Sequence, residues 1–449
     1  MIRLLLAALL LIGTISGAHA EISALTHVNV VNVRDGTIQP GRTILIEGER
    51  ITAILESSVP IPEDVQAIDL SGRYIMPGLI DGHVHIAMSA FGTLFGSPGV
   101  PALSEHEATL SPFLAHGVTT VVILSGGPDL LDVRSAIRNH SITGPRLLLA
   151  SPMIASTDPI IPPPITYLVA DETEALAATE LFDRQGYDAI KLREDLSPEL
   201  TRSIAAEGER LGIPVVGHIP REASRLSELP LRSFGFAHLY ELLRMEDYDE
   251  DNPDILADLM GQNDAWVVTT LSVHANNIEK NRDYVTTLTA PGTEYVHPQL
   301  YGFWLNSRFA PNADNETMHR QMASIHGLLP ELQRHGVTLL AGSDAGNPTI
   351  APGTSLHDEF DIMIAAGLSP LHVIQSATIS PAAIWGMEAG VVETGARADL
   401  LVLETNPLED LHAMRNPEAV MANGQWLDRE SLDILLARAA ALREAETQQ

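Results

Sequence analysis

The chain has 449 residues, of which 45% are hydrophobic, 19% are charged and none is Cys. That apolar fraction specifies a folded core, and the absence of Cys excludes thiol nucleophiles, disulfides and cysteine-ligated zinc. With 27 Lys and Arg against 58 Asp and Glu, the formal charge of −31 lacks the cations that a phosphate backbone requires, so nucleic acid is excluded as a partner.

Taken in chain order, residues 1–20 form a signal peptide. Arg3 supplies the positive start, 4–15 is mostly apolar, and Ala18-His19-Ala20 is a cleavage site of the A-x-A kind. The apolar run falls short of the about 20 residues that span a bilayer. The expectation is an exported protein, periplasmic or secreted, without membrane attachment after cleavage. Residues 21–75 then hold β-branched runs at 28–33, 43–47 and 50–55, broken by Asp35-Gly36 and Gly48-Glu49. The same texture returns at 390–427, around Asn423-Gly424. Two distant β segments around a long middle predict a small β-sandwich domain built from both chain ends, followed by a C-terminal helix within 428–449.

The middle, 76–389, alternates short apolar runs with helical stretches. The runs end near His85, Leu124, Ser151, Lys191, His218, His238, Leu271 and Asp344. Eight such strands predict an α/β fold of the (β/α)8 TIM-barrel type. Ser197-Pro198 and Ser369-Pro370 place a capping hydroxyl before a Pro at the first helical position, and Gly212 and Gly386 follow helix ends. Long insertions are expected after strand one (87–105), strand three (154–166) and strand seven (272–330), as lids and pocket walls.

His83 and His85 are two apart on a strand, so both imidazoles face one side. His218, His238 and Asp344 end other strands, and in a parallel barrel all these ends converge on one rim. Four His and a carboxylate there suit a divalent transition metal. Lys191 joins them: the chain has only two Lys, Lys191 and Lys280, against 25 Arg. A desolvated Lys loses its proton and reacts as an amine, which Arg cannot do. Schiff base, general base and carbamate all remain open on this ground, as does a plain ion pair with Asp188, Glu194 or Asp195.

Met76-Pro77-Gly78-Leu79-Ile80-Asp81-Gly82-His83-Val84-His85 resembles the signature of the amidohydrolase superfamily. Gly117-Val118-Thr119-Thr120, Gly342-Ser343-Asp344-Ala345-Gly346, Ser376-Ala377-Thr378 and Asn406-Pro407-Leu408 extend the likeness over nearly all of the mature chain. It is most similar to the imidazolonepropionase-related group, with its exported prolidase-like dipeptidases and ochratoxin-type amidases. The resemblance implies two divalent metal ions, zinc by preference, bridged by a carboxylated Lys191. His83, His85 and Asp344 would hold one, and His218 and His238 the other. It implies a metal-bridging hydroxide with Asp344 as general base, hydrolysing an amide or peptide bond in a small molecule such as a dipeptide or N-acyl amino acid. Higher oligomers are common among such relatives, so a homo-oligomer is expected.

The dipeptidase relatives carry a His in the loop after strand three, whereas 151–164 contains none here. Residues near Gly126-Gly127 also lack the relatives' acidic-basic pair. Arg193, two residues past Lys191, is a candidate for a substrate carboxylate, and Tyr240 for the carbonyl oxygen. His274, His297 and His357 are further rim candidates. Competing readings are a mononuclear deaminase or cyclic-amide hydrolase, which has no need of Lys191, and a binding protein that has lost catalysis.

Overall fold

The computed structural model describes residues 22–447 apart from 62, 64, 87–98, 158–162 and 307–313. The expected signal peptide lies outside the described residues, as do much of the insertion after strand one and the middle of that after strand three. The described chain is an α/β protein with two kinds of sheet.

Both chain ends enter one eight-stranded sheet. Ile22–Val31, Ile38–Glu47, Arg50–Glu56, Gln66–Asp69 and Tyr74–Pro77 meet Leu400–Leu403, Ala419–Ala422 and Gln425–Asp428. The seam is the antiparallel pairing of Tyr74–Pro77 with Leu400–Leu403, with Ile75 opposite Val402 and Met76 opposite Leu401. Alternation explains why these strands look continuously apolar. Leu400 and Val402 enter a small core with Leu25, Ile44 and Met421, while Leu401 and Leu403 face the main core of the molecule. The last hairpin turns on Asn423 and Gly424, at φ of 50° and 74°, the left-handed pair that suits the twist of a two-residue connection.

The middle contributes eight parallel strands near the expected positions: Leu79–Val84, Val118–Ile123, Arg146–Leu149, Ile190–Leu192, Val215–Gly217, Gly235–Phe236, Trp266–Val268 and Thr338–Leu340. The first three pair in sequence and so do the last five. Parallel bridges Ala150↔Ala189 and Val84↔Ala345 link the third strand to the fourth and the first to the segment after the eighth. One apolar cluster draws on every strand, through Ile80, Val122, Leu148, Ala189, Val216, Ala237, Val268 and Leu340. Their neighbours Leu79, Val121, Leu149, Ile190, Val215, Phe236, Val267 and Leu339 point the opposite way, into the main core. Burying a large apolar side chain there contributes roughly 1.5–3 kcal/mol, enough to fix register strand by strand.

Two expectations change. The stretch expected as an insertion after strand three carries a parallel strand pair, Met153–Ala155 with Thr166–Leu168, that extends the sheet. The one after strand seven is mainly helical: Leu271–Thr287, Pro298–Asn306 and Asn315–Arg334. The first of these helices buries Ser272, His274 and Lys280 beside Leu271 and Ile278, so no apolar stripe marks it in the sequence. Helix punctuation follows local chemistry: Ser197 and Ser369 accept from the N–H groups of Leu200 and His372, and Gly212 takes φ of 75° at its helix end. The C-terminal helix, Arg429–Thr447, packs on the helix Leu103–Ala115. No helix among the described residues is long and apolar enough to cross a membrane.

Candidate active site

The six residues expected to form a metal centre gather at one rim. His83 and His85 end the first strand, and Asp344 follows the eighth. The Nε2 atoms of His83 and His85 are 3.1 Å apart, and Asp344 Oδ1 lies 3.4 Å from the former and 3.1 Å from the latter. The rings of His83 and His238 stand 4.8 Å apart, and those of His238 and His218 4.9 Å apart. Lys191, fully buried in the middle of the short fourth strand, has no hydrogen-bond partner for Nζ among the described residues.

The residues around these rings set their protonation. His83 Nδ1 lies 3.2 Å from Ala237 O, and His218 Nδ1 lies 2.7 Å from Glu241 Oε1. A carbonyl and a carboxylate can only accept, so Nδ1 carries the proton in both rings and Nε2 keeps a free lone pair. His238 Nδ1 lies 2.8 Å from Thr270 Oγ1, and His85 Nδ1 3.1 Å from Ser125 Oγ. Of the three crowded atoms, His83 Nε2 and Asp344 Oδ1 can only accept, and His85 Nε2 accepts as well when its Nδ1 donates to the Ser125 hydroxyl. All three lie within 4.8 Å of one another, an arrangement of acceptors that a cation satisfies. These donors fit a divalent metal.

The charges tell the same story. Burial holds His83 neutral, well below its usual range, and lowers His238 to about 3. Burial opposes the Asp344 anion, yet the carboxyl lies far below the carboxylate range, drawn down by a proton on the adjoining His83 or His85 ring. Glu241 is likewise pulled down, to about 2, by the His218 ring despite its burial. Burial brings Lys191 down to about 8 against the pull of Asp344 and Glu241.

Backbone geometry delivers these groups. Asp344, Thr270 and Ser125 all have positive φ, of 57°, 47° and 116°. Such conformations are costly for L residues and persist where the surroundings enforce them. Gly346, at φ of 108°, presses on the first strand so closely that a Cβ would lie 1.7 Å from His85 O. Asp81, fully buried and pushed up to about 7 by that burial, accepts from the Ser343 N–H at 2.9 Å and from its hydroxyl. That contact ties the first strand to the end of the eighth.

Of the remaining candidates, Arg193 has its Nη1 buried without a hydrogen bond, while Nε lies 3.8 Å from Glu194. The Tyr240 ring lies 5.4 Å from the His238 ring, tilted to it, and stacks on the His274 ring at 6.0 Å. It also lines a cavity of about 640 Å³ with Glu194, Glu241 and Arg244. His274 Nε2 is committed to Met318 O at 3.1 Å, and His297 is buried with Nε2 unpartnered. His357 lies on the helix Thr354–Ala365 rather than in a loop, and its Nε2 meets His116 O at 2.8 Å, so it is a packing residue. Sequence reasoning missed Glu241, Thr270, Ser125 and Asp81. Only Asp81 had a signal, its place beside His83 in the opening motif.

The model of the amidohydrolase family matches residues 74–427. The chain is 24% identical over 428 residues to the imidazolonepropionase of Pseudomonas fluorescens, covering 86% of this chain and 93% of that protein. Adenine deaminase 3 of Rhizobium meliloti is 33% identical over 94 residues, and the matched stretch spans 21% of this chain but only 14% of that relative. Among solved structures, a putative prolidase from Bifidobacterium longum superposes with a TM-score of 0.69 at 26% identity, covering 94% of this chain and 99% of that one. The ochratoxinase of A. niger gives a TM-score of 0.69 at 19% identity, with coverage of 91% and 96%. With the family model spanning the seam strand, all eight parallel strands and the last hairpin, the chain belongs to the amidohydrolase family.

Proposed function

We propose that this protein is an exported, metal-dependent amidohydrolase that cuts an amide or peptide bond in a small substrate such as a dipeptide or N-acyl amino acid. The relatives named prolidase and ochratoxinase support that bond type. In this reading the parallel strands close into a (β/α)8 barrel over 76–389. Residues 21–75 and 390–427 form a β-sandwich beside it, and 1–20 directs export. The bridges Ala150↔Ala189 and Val84↔Ala345, with one apolar cluster fed by all eight strands, support closure.

One observation carries the reading: the Lys191 amine, buried and without a partner among the described residues, lies close enough to Asp344, His83 and His238 to be electrostatically coupled to them, and His83 and His218 each turn Nδ1 onto an acceptor. His83, His85 and Asp344 would hold one divalent ion, and His218 and His238 a second, with zinc the preferred metal. Lys191, as a carbamate, would help to hold both. Its neutral Nζ forms a bond to carbon dioxide and releases one proton, turning an orphaned amine into a two-oxygen anion. Bound there, the metal ions supply an acidified water and a polarised carbonyl.

The chain's own residues do the rest. Asp344 takes the proton of the attacking water on its carboxylate and passes it to the leaving nitrogen. Tyr240, beside His238, donates to the substrate carbonyl oxygen. Arg193 offers its buried Nη1 to a substrate carboxylate. Glu241 and Thr270 hold the rings of His218 and His238 in orientation.

Elemental analysis after preparation with zinc and bicarbonate tests this, alongside Lys191→Ala. About two metals per chain, falling in the variant, with release of free amino acid from dipeptides or N-acyl amino acids, is the expected result. One metal indifferent to Lys191 would instead favour a mononuclear deaminase or cyclic-amide hydrolase, and none in either protein would remove every metal-dependent reading.

A further inference from the structure

The second lysine of the chain takes no part in the reading above. Lys280 sits on the helix Leu271–Thr287, is 6% exposed, and donates from Nζ to Pro348 O at 3.2 Å. Pro348 belongs to the loop that leaves the eighth strand with Asp344 at its head. Four residues earlier, and so on the same side of the helix, Asn276 Nδ2 donates to Thr349 O at 2.9 Å and to Thr349 Oγ1 at 2.8 Å. From the next helix, Trp304 Nε1 donates to Gly346 O at 3.1 Å. Three side chains thus grip carbonyls of one short loop.

That loop needs a grip. Asp344 and Thr349 both hold left-handed backbone, with φ of 57° and 69°, and Gly346 is pressed against the His85 carbonyl. Its internal bonds, Asn347 N to Asp344 O at 3.2 Å, Gly346 N to Ile350 O at 3.2 Å and Ile350 N to Asn347 O at 3.0 Å among them, close the loop on itself without tying it to the helix beside it. Left to itself, a segment with such strained residues relaxes toward ordinary backbone angles and carries its side chains with it.

The helix that supplies the grip is itself anchored beside the metal cluster. Thr270, the residue before it, meets His238 Nδ1 at 2.8 Å, and the buried Glu359 accepts from Leu271 N at 2.9 Å and Ser272 N at 2.6 Å. One helical run, unbroken as far as the kink at Asp283, therefore touches His238 through the residue at its head and the Asp344 loop through Asn276 and Lys280. The choice of Lys fits this task. Every Lys or Arg in the chain but two is Arg, and a compact ammonium on a slender stem fits against this buried loop more easily than a planar fork does.

We infer that Asn276 and Lys280 are positioning residues that hold Asp344 in register with His83 and His85. What Asp344 then does in the reaction rests on the proposed hydrolase function; the grip itself does not.

Hydrogen–deuterium exchange on the metal-free protein tests the grip without any assay of turnover. In Lys280→Met the amides of Asp344, Gly346, Asn347 and Ile350 should exchange faster than in wild type, and in Asn276→Ala they should follow in the same direction. The strands Val215–Gly217 and Thr338–Leu340 should keep their protection. Lys280→Arg, which retains a donor, should recover part of the loop's protection. With metal loaded, the Met variant should lose about 10- to 100-fold in kcat, the usual cost of removing an outer support, while KM changes by no more than about twofold. Unchanged exchange would overturn the inference. So would a rise in KM alone, confined to substrates bearing a free carboxylate, which would put Lys280 on the substrate instead. Should Lys280→Met fail to fold, Asn276→Ala carries the test. Should wild type hydrolyse nothing offered, the exchange result still stands, so failure of the hydrolase reading and failure of this one are told apart.

Discussion

The two sides of the candidate metal site are built differently. His83, His85 and Asp344 are braced largely by main chain: His83 Nδ1 meets Ala237 O, Asp344 N donates to His83 O at 2.7 Å, and Gly346 packs on His85 O. His218 and His238 are braced by side chains, Glu241 and Thr270. A carbonyl fixes a tautomer and adds no charge, whereas a carboxylate fixes the same tautomer and also raises the basicity of the ring. The first side gains its anion from Asp344 within the cluster, and the second borrows one from outside it.

Substitutions can break that contrast. The largest effect should come from Asp344→Asn, which removes the anion of the first side and the proposed base together. Its kcat should fall by about 10²- to 10⁴-fold. Metal content should drop on the His83 and His85 side, with circular dichroism unchanged. Retention of both metals with wild-type kcat would defeat the assignment. Glu241→Gln is milder, because Gln Oε1 still accepts from His218 Nδ1, although the charge is lost and the amide nitrogen now faces the Ile219 N–H that the second carboxylate oxygen accepted. Metal titration should show about tenfold weaker binding at one position and none at the other. Equal weakening at both would mean that the two sides are not independently braced.

How much of this was legible beforehand follows from the same physics. Strands buried on both faces look like short apolar runs, so their ends, and the His, Lys and Asp placed there, could be located by counting. The residues that orient the rings could not. Glu241 reaches His218 across 23 positions, Thr270 reaches His238 across 32 and Ser125 reaches His85 across 40, each from a segment whose path no local pattern dictates. The helix Leu271–Thr287 was opaque for the opposite reason: it buries polar residues because it serves the site, and so loses the stripe by which amphipathic helices are found. His357 misled because a His near a rim says nothing about where its ring turns.

The smallest expected effect compares two buried glutamates. Glu241 and Glu359 both accept main-chain N–H groups, from Ile219 in one case and from Leu271 and Ser272 in the other. Glu241 has an imidazole beside it to share charge and is pulled down to about 2. Glu359 has only neutral donors, including the Thr269 hydroxyl, and burial pushes it up to about 7 from an ordinary 4.5. Between those two values the folded protein holds a proton that the unfolded chain has released, so this group's contribution to stability falls as pH rises through that window. The loss is on the order of 1–3 kcal/mol. Glu359→Gln cannot titrate, and its amide also sets a donor against the Ser272 N–H, so the variant is less stable throughout and the slope is the informative quantity. Urea midpoints of the metal-free proteins at about pH 5 and about pH 7.5 should converge, because wild type declines over that range and the variant lacks this decline. Parallel profiles would mean that three neutral donors are enough to keep Glu359 ionised, and that a neutral donor such as the Ile219 N–H, without His218, would account for the low value of Glu241.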